Sequence, residues 1–179
     1  MKKLLILLLF TTASYSQNVY VSAGIDVRNA IVGSSPTQNK PALDYIVRFG
    51  MVGSVPNHIT TIEVQIGYER FEAIDFSRFF FGLGVQLYPF KNITVIPTIE
   101  PSLIDRWNNW GGGLGEEKLK SSHLTVGVSL AVRYEVSYHI SLEAQSCLLP
   151  RTDVYTMYRS MHNNVPIVVN NSLSVLYRF

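Results

Sequence analysis

Between residues 124 and 136 apolar and polar or small side chains alternate without a break. Leu124, Val126, Val128, Leu130, Val132, Tyr134 and Val136 fall on one face, and Thr125, Gly127, Ser129, Ala131, Arg133 and Glu135 on the other. Successive side chains of a strand point to opposite sides, so a period of two describes a strand that meets two different environments. At about 3.3 Å per residue the stretch spans roughly 40 Å. A soluble strand of about five or six residues covers half of that, so the length favours a strand that crosses a membrane.

The C-terminal segment repeats the pattern. Ile167, Val169, Leu173, Val175, Tyr177 and Phe179 share one face, with Asn171 the one polar intruder, while Val168, Asn170, Ser172, Ser174, Leu176 and Arg178 share the other. The same alternation predicts strands over 19–27, 44–52, 60–71, 79–88, 93–104, 123–136, 140–149 and 166–179. Eight is an even number, as single-chain bacterial barrels require. The connections also alternate: 53–57, 89–92 and 137–139 are short, whereas 28–43, 105–122 and 150–165 are long, with 72–78 the shortest of the outer set. An exported chain starts on the periplasmic side, which assigns the short turns to the periplasm and the long loops to the exterior. Pro97 and Pro101 fit poorly inside the fifth strand, because each lacks an amide that a closed ladder would use. A bulge, or an early departure of that strand from the ladder, is the expected remedy.

Residues 1–16 read as a cleaved signal peptide: Lys2 and Lys3, the apolar run Leu4 to Phe10, then small residues up to Ser16. Residues 17–179 form the single remaining domain. No later stretch holds 18 or more consecutive apolar residues, so any crossing of a bilayer must use strands. The net charge of +2 comes with scattered basic residues, which leaves no electrostatic footprint for nucleic acid. The single cysteine, Cys147, excludes an internal disulfide and a thiolate metal cluster, and reads as a small buried residue.

Alternation alone also describes a soluble barrel, and the choice rests on which face points inward. The polar face is rich in small residues, among them Ser22, Gly24, Gly50, Gly67, Gly82, Gly84, Gly127, Ser129 and Ser174, which suit the crowded interior of eight strands. The apolar face is bulky and turns aromatic near both presumed interfaces, with Phe49, Tyr134, Tyr177 and Phe179 at one and Tyr45, Tyr68, Phe79 and Phe81 at the other. The expected fold is therefore all-β, an eight-stranded antiparallel up-and-down transmembrane β-barrel with lipid as its outer partner. The alternating end Leu173, Val175, Tyr177 and Phe179 resembles the assembly signal of Gram-negative outer-membrane barrels, and the whole resembles the OmpA/OmpX-type small barrels. That resemblance implies a place in the outer membrane and recognition of Phe179 by the barrel-assembly machinery. It implies no catalytic residues.

The inward face also carries charge. Arg48, Glu63, Arg133, Glu135, Glu143 and Arg178, with Gln86, are expected in the periplasmic half of the lumen, where arginine forks must pair with carboxylates. A structural plug is preferred over an ion pathway or gate, because eight strands leave little bore. A second acidic group, Asp26, Asp44, Glu69 and Glu100 with Arg28, is expected near the outer mouth and solvated. No cofactor or metal is called for.

His139-Ile140-Ser141 resembles the His-x-Ser of barrel-type lipid A deacylases. It falls at a periplasmic turn, and Leu142 and Glu143 follow where those enzymes carry asparagine. His162 and Asn163 have no serine at matching spacing. In the outer loops Trp107, Trp110, Tyr155 and Tyr158 are candidate contacts, with anchoring at the lipid interface preferred over a protein partner. The leading expectation is a non-enzymatic outer-membrane protein that supports envelope integrity or surface contacts through its loops. The alternatives are a narrow channel, a barrel subunit of a secretion or assembly complex, and last a lipid A-modifying enzyme.

Overall fold

The computed structural model describes residues 18–27, 44–54, 61–71, 76–106, 121–151 and 167–179. The expected signal peptide therefore lies outside the described residues. Eight strands follow one another: β1 (Val19–Asp26), β2 (Tyr45–Ser54), β3 (Thr61–Phe71), β4 (Phe76–Phe90), β5 (Ile93–Arg106), β6 (Ser121–Glu135), β7 (Ile140–Pro150) and β8 (Ile167–Arg178). Each pairs antiparallel with the next, and β8 returns to pair with β1, closing the barrel. Closure removes both free edges, so the strand ladders satisfy the backbone of the wall. The start of β1 and the end of β8 meet at one rim, where the Phe179 amide donates to the Val19 carbonyl at 3.0 Å. We call this rim the terminal end; it also carries the turns at Lys91–Asn92 and 136–139.

The partition of side chains is inverted relative to a soluble protein. On β6, Leu124 is 80% exposed and Leu130 51%, while Arg133 is 2% exposed. The small residues of the polar face line the interior. A Cβ on Gly50 would lie 2.1 Å from the ring of Tyr20, and one on Gly67 would lie 2.2 Å from the ring of Phe80. Both glycines therefore act as recesses that admit an aromatic ring to the lumen. Apolar residues also point inward, in two small clusters: Tyr20, Val52 and Leu176 in one, Ile104, Cys147 and Leu149 in the other.

Two expectations need correction. Residues 76–78 are strand rather than the end of a connection, so β4 starts three residues before the predicted Phe79. The fifth strand does not leave the ladder early. It stays in register with β6 from Ile93↔Tyr134 to Arg106↔Ser121, and the disturbance falls on its other side. Pairing with β4 skips Phe81 and Gly82 opposite Pro101 and Glu100, skips Val85 and Gln86 opposite Pro97 and Ile96, and shifts register between Leu87 and Phe90. Proline has no N–H to donate, so the loss is confined to one of the strand's two ladders. Both prolines sit on the outer face.

Filling a recess has a measurable consequence. Gly67→Val is expected to displace Phe80 and lower the stability of the detergent-solubilised barrel by about 1–3 kcal/mol, the usual cost of overpacking. Gly53→Val, where a Cβ meets nothing within 4 Å, is expected to leave it unchanged. The temperature at which the compact, fast-migrating form disappears on gels measures both.

Candidate functional site

The lumen holds two ionic layers. In the layer nearer the terminal end, Arg133 of β6 reaches across to β3 and sideways to β7. Its Nη1 and Nη2 each donate to Glu63 at 3.0 Å, while Nε and Nη2 donate to Glu143 at 3.0 and 2.7 Å. Glu63 also accepts from the Gln86 amide at 2.6 Å and from the Tyr20 hydroxyl. The Tyr20 ring lies beneath the Arg133 guanidinium, 4.8 Å from it. Arg48 enters from β2. Its Nη1 stands 2.6 Å from Glu143 Oε1, a close ionic contact without the alignment of a hydrogen bond, and its Nη2 donates to Ser174 at 2.8 Å. All four charged side chains are almost fully buried.

The second layer centres on Arg78. Nε and Nη2 form a two-point contact with Glu69 at 2.6 and 2.7 Å, and Nη2 also donates to Glu100 at 2.9 Å. The guanidinium lies 4.4 Å from the Phe80 ring, and Nη1 approaches the Cys147 sulfur at 3.4 Å. Glu100 takes further bonds from Gln145 at 2.8 Å and from Ser129. The pairing follows from register: Glu69 stands opposite Arg78 on β3 and β4, as Glu143 stands opposite Arg133 on β6 and β7. Directly opposed side chains on one face are near neighbours, so each layer starts from a local pair and recruits a carboxylate from farther round the wall.

Of the predicted residues, Arg48, Glu63, Arg133 and Glu143 come together with Gln86. Glu135 and Arg178 do not join them; they form a separate pair at the terminal rim, 3.1 Å apart and partly exposed. The expected solvated acidic group is also corrected. Glu69 and Glu100 are 2% and 0% exposed and bound to Arg78, because β4 and β5 run on beyond their level. Asp26 and Asp44 are buried too, and Arg28 lies outside the described residues.

Arg78 is the residue that sequence reasoning missed. The signal was parity: it lies an even number of positions before Gly82, Gly84 and Gln86, all read as inward, but residues 72–78 read as a connection and the parity is not carried back past Phe79.

The His-x-Ser tripeptide does not form a dyad. His139 is exposed, stacked on Tyr177 at 5.7 Å, with Nδ1 2.9 Å from the Arg178 carbonyl, while Ser141 points into the lumen and is buried. His162, Asn163, Trp107, Trp110, Tyr155 and Tyr158 lie outside the described residues. Among the described residues no group of three or more His, Cys, Asp or Glu side chains is arranged to hold a metal ion. The chemistry this lumen performs is mutual neutralisation, with guanidinium–carboxylate bonds standing where a soluble protein would place a hydrophobic core.

No protein-family model and no curated protein matches the sequence. In fold the chain is similar to the Yersinia pestis outer membrane protein Ail, solved in phospholipid bilayer nanodiscs. The TM-score is 0.52 at 9% identity, over 90% of this chain and 99% of that one. Neisserial surface protein A, NspA, aligns with a TM-score of 0.48 at 13% identity, over 90% of this chain and 96% of that one. The likeness to Ail is one of architecture, the eight-stranded transmembrane barrel.

Removing the hub of a layer should be costly. Arg133→Leu leaves Glu63 and Glu143 buried without their main partner and is expected to cost about 3–5 kcal/mol. Glu135→Gln at the partly exposed rim pair is expected to cost under about 1 kcal/mol. Thermal unfolding in detergent, followed by circular dichroism, separates the two. Equal midpoints for wild type and Arg133→Leu would contradict the plug.

Proposed function

We propose that this chain is an integral outer-membrane barrel of a Gram-negative envelope, closed through its middle, which acts through its exterior and its long connections rather than by conduction or catalysis. The observation that carries the reading is the inverted partition. Large apolar side chains cover the outside of every strand while the charged side chains of the two layers, Arg48, Glu63, Glu69, Arg78, Glu100, Arg133 and Glu143, sit within. An outer surface of this kind has hydrocarbon as its compatible solvent. The exposed aromatics Tyr134, Tyr138, Tyr177 and Phe179 toward the terminal end suit the headgroup level of one leaflet.

A closed lumen is supported by the two layers themselves. Arg133 bonds to both β3 and β7 across the interior, and Arg78 to β3 and β5, so a passing ion would have to break paired charges at two levels. The non-enzymatic reading draws support from the same geometry, since the guanidinium and carboxylate groups of the two layers are paired with one another. Contacts with the surroundings are then assigned to the segments 28–43, 107–120 and 152–166, with Trp107, Trp110, Tyr155 and Tyr158 as the side chains suited to lipid-interface anchoring or to a protein partner. Phe179, 62% exposed and edge-on to Tyr177, is the proposed handle for the barrel-assembly machinery.

Two measurements test the proposal. The full chain, produced in a Gram-negative host, should remain with the outer-membrane fraction after alkaline carbonate washing; release into the soluble fraction would refute membrane integration. Purified barrel in planar bilayers should give no stepwise conductance at any voltage, and a stable open level would replace the plug by a channel.

A further inference from the structure

Away from its rims the described outer face is apolar with one interruption. Among the described residues, Ser146 of β7 and Asn171 of β8 are the only polar side chains on the outer face with apolar outer-face neighbours both before and after them on their strand. They are Leu148 and Ala144 around Ser146, and Val169 and Leu173 around Asn171. The two are register partners, directly opposite each other, and both are exposed. Neither side chain has a hydrogen-bond partner among the described residues. Immediately on the terminal side of this pair lies a depression of about 700 Å³. Its floor is low because Ala144 and Ala23 stand where the neighbouring positions carry Tyr134, Leu142, Leu173 and Val175.

We propose that this face is a lateral interface within the membrane, and that its occupant is a second copy of this chain, related by a two-fold axis along the membrane normal. The proposal rests on the reading of the barrel as membrane-embedded. Acyl chains could fill the depression, but hydrocarbon offers an amide no partner, whereas a polar group on a neighbouring protein does. Self-association is favoured over a different protein by symmetry. Copies inserted in one orientation place Ser146 and Asn171 at the same depth. A two-fold axis between β7 and β8 brings β7 of each copy against β8 of the other. Ser146 then faces Asn171 of the second copy, and Asn171 faces its Ser146, the reciprocal pairing of an isologous interface. Asparagine both donates and accepts, as does serine, so both contacts form without a further group. The alanines allow the two walls to approach closely beside the polar row, as small residues do in packed membrane segments.

The test uses the full chain in native membranes, with Cys147→Ser removing the buried thiol. Asn171→Cys is compared with Leu83→Cys on β4, an outer-face position elsewhere on the barrel. A short bismaleimide should give a band at twice the chain mass for Asn171→Cys, at least tenfold stronger than for Leu83→Cys. Asn171→Leu, in the chain with no added cysteine, should convert the solubilised dimer to monomer by sedimentation equilibrium while keeping its heat-dependent gel mobility. Equal cross-linking at both positions, a monomeric wild type, or Asn171→Cys adducts with another protein alone would overturn the proposal. Failure of the membrane reading looks different, because the chain would then be absent from the carbonate-resistant membrane fraction before any cross-linker is added.

Discussion

The bonds that Arg133 makes to Glu63 and Glu143 define what the rest of this barrel must accommodate. A guanidinium and two carboxylates taken out of water each carry a desolvation cost of several kcal/mol, recovered only when pairing geometry is good and the remaining lone pairs are met. On Glu63 they are met by Gln86 and Tyr20, and on Glu143 the second oxygen has the close ionic contact of Arg48 in place of a hydrogen bond. That demand explains the neighbouring sequence. Tyr20 must lie flat beneath the guanidinium, which requires the recess at Gly50; Arg48 must cross over Gly67, where a Cβ would come within 2.9 Å of its Cγ. Gly50 and Gly67 are thus consequences of the ion pairs and of the rings packed among them.

The second layer repeats the solution with different parts. Arg78 takes the place of Arg133, Phe80 that of Tyr20, and Gln145 and Ser129 finish the lone pairs of Glu100. Two layers at different levels cross-link the wall in several directions, since the first ties β2, β3, β6 and β7 and the second ties β3, β4 and β5. A small barrel with a solvated lumen would have only its ladders to resist flattening. The paired charges add contacts between strands far apart in the ladder order, Glu63 to Arg133 being separated by 70 residues.

Much of this was legible because two solvents impose a rigid period on the sequence. Wherever a strand has hydrocarbon on one side and a polar interior on the other, a slip of one residue exchanges every side chain. Alternation therefore located all eight strands, with ends displaced by no more than three residues, as at Phe76. The signal failed at the start of β4. Phe79 and Phe81 read as outward and are exposed, with Phe80 buried between them, but the connection 72–78 reads as running up to Phe79, and Arg78 is lost with it. Ion partners were less legible than facing. Glu143 and Arg133 are hairpin neighbours, but the approach of Glu63 depends on barrel diameter and stagger, which residue spacing does not encode.

The same period also isolates what does not belong to it. An inward polar residue explains itself by the lumen, and an outward apolar one by lipid, so Asn171 and Ser146 are the outer-face positions that neither environment accounts for. Their facing is secure, since both flanking residues on each strand are exposed and apolar and the inward neighbours Asn170, Ser172, Gln145 and Cys147 are buried. A register slip that turned Asn171 inward would turn Leu173, Val175 and Tyr177 inward with it and expel Ser172 and Ser174, undoing the Arg48–Ser174 bond at the first ionic layer. The polar pair on the outside is therefore held there by the charges on the inside.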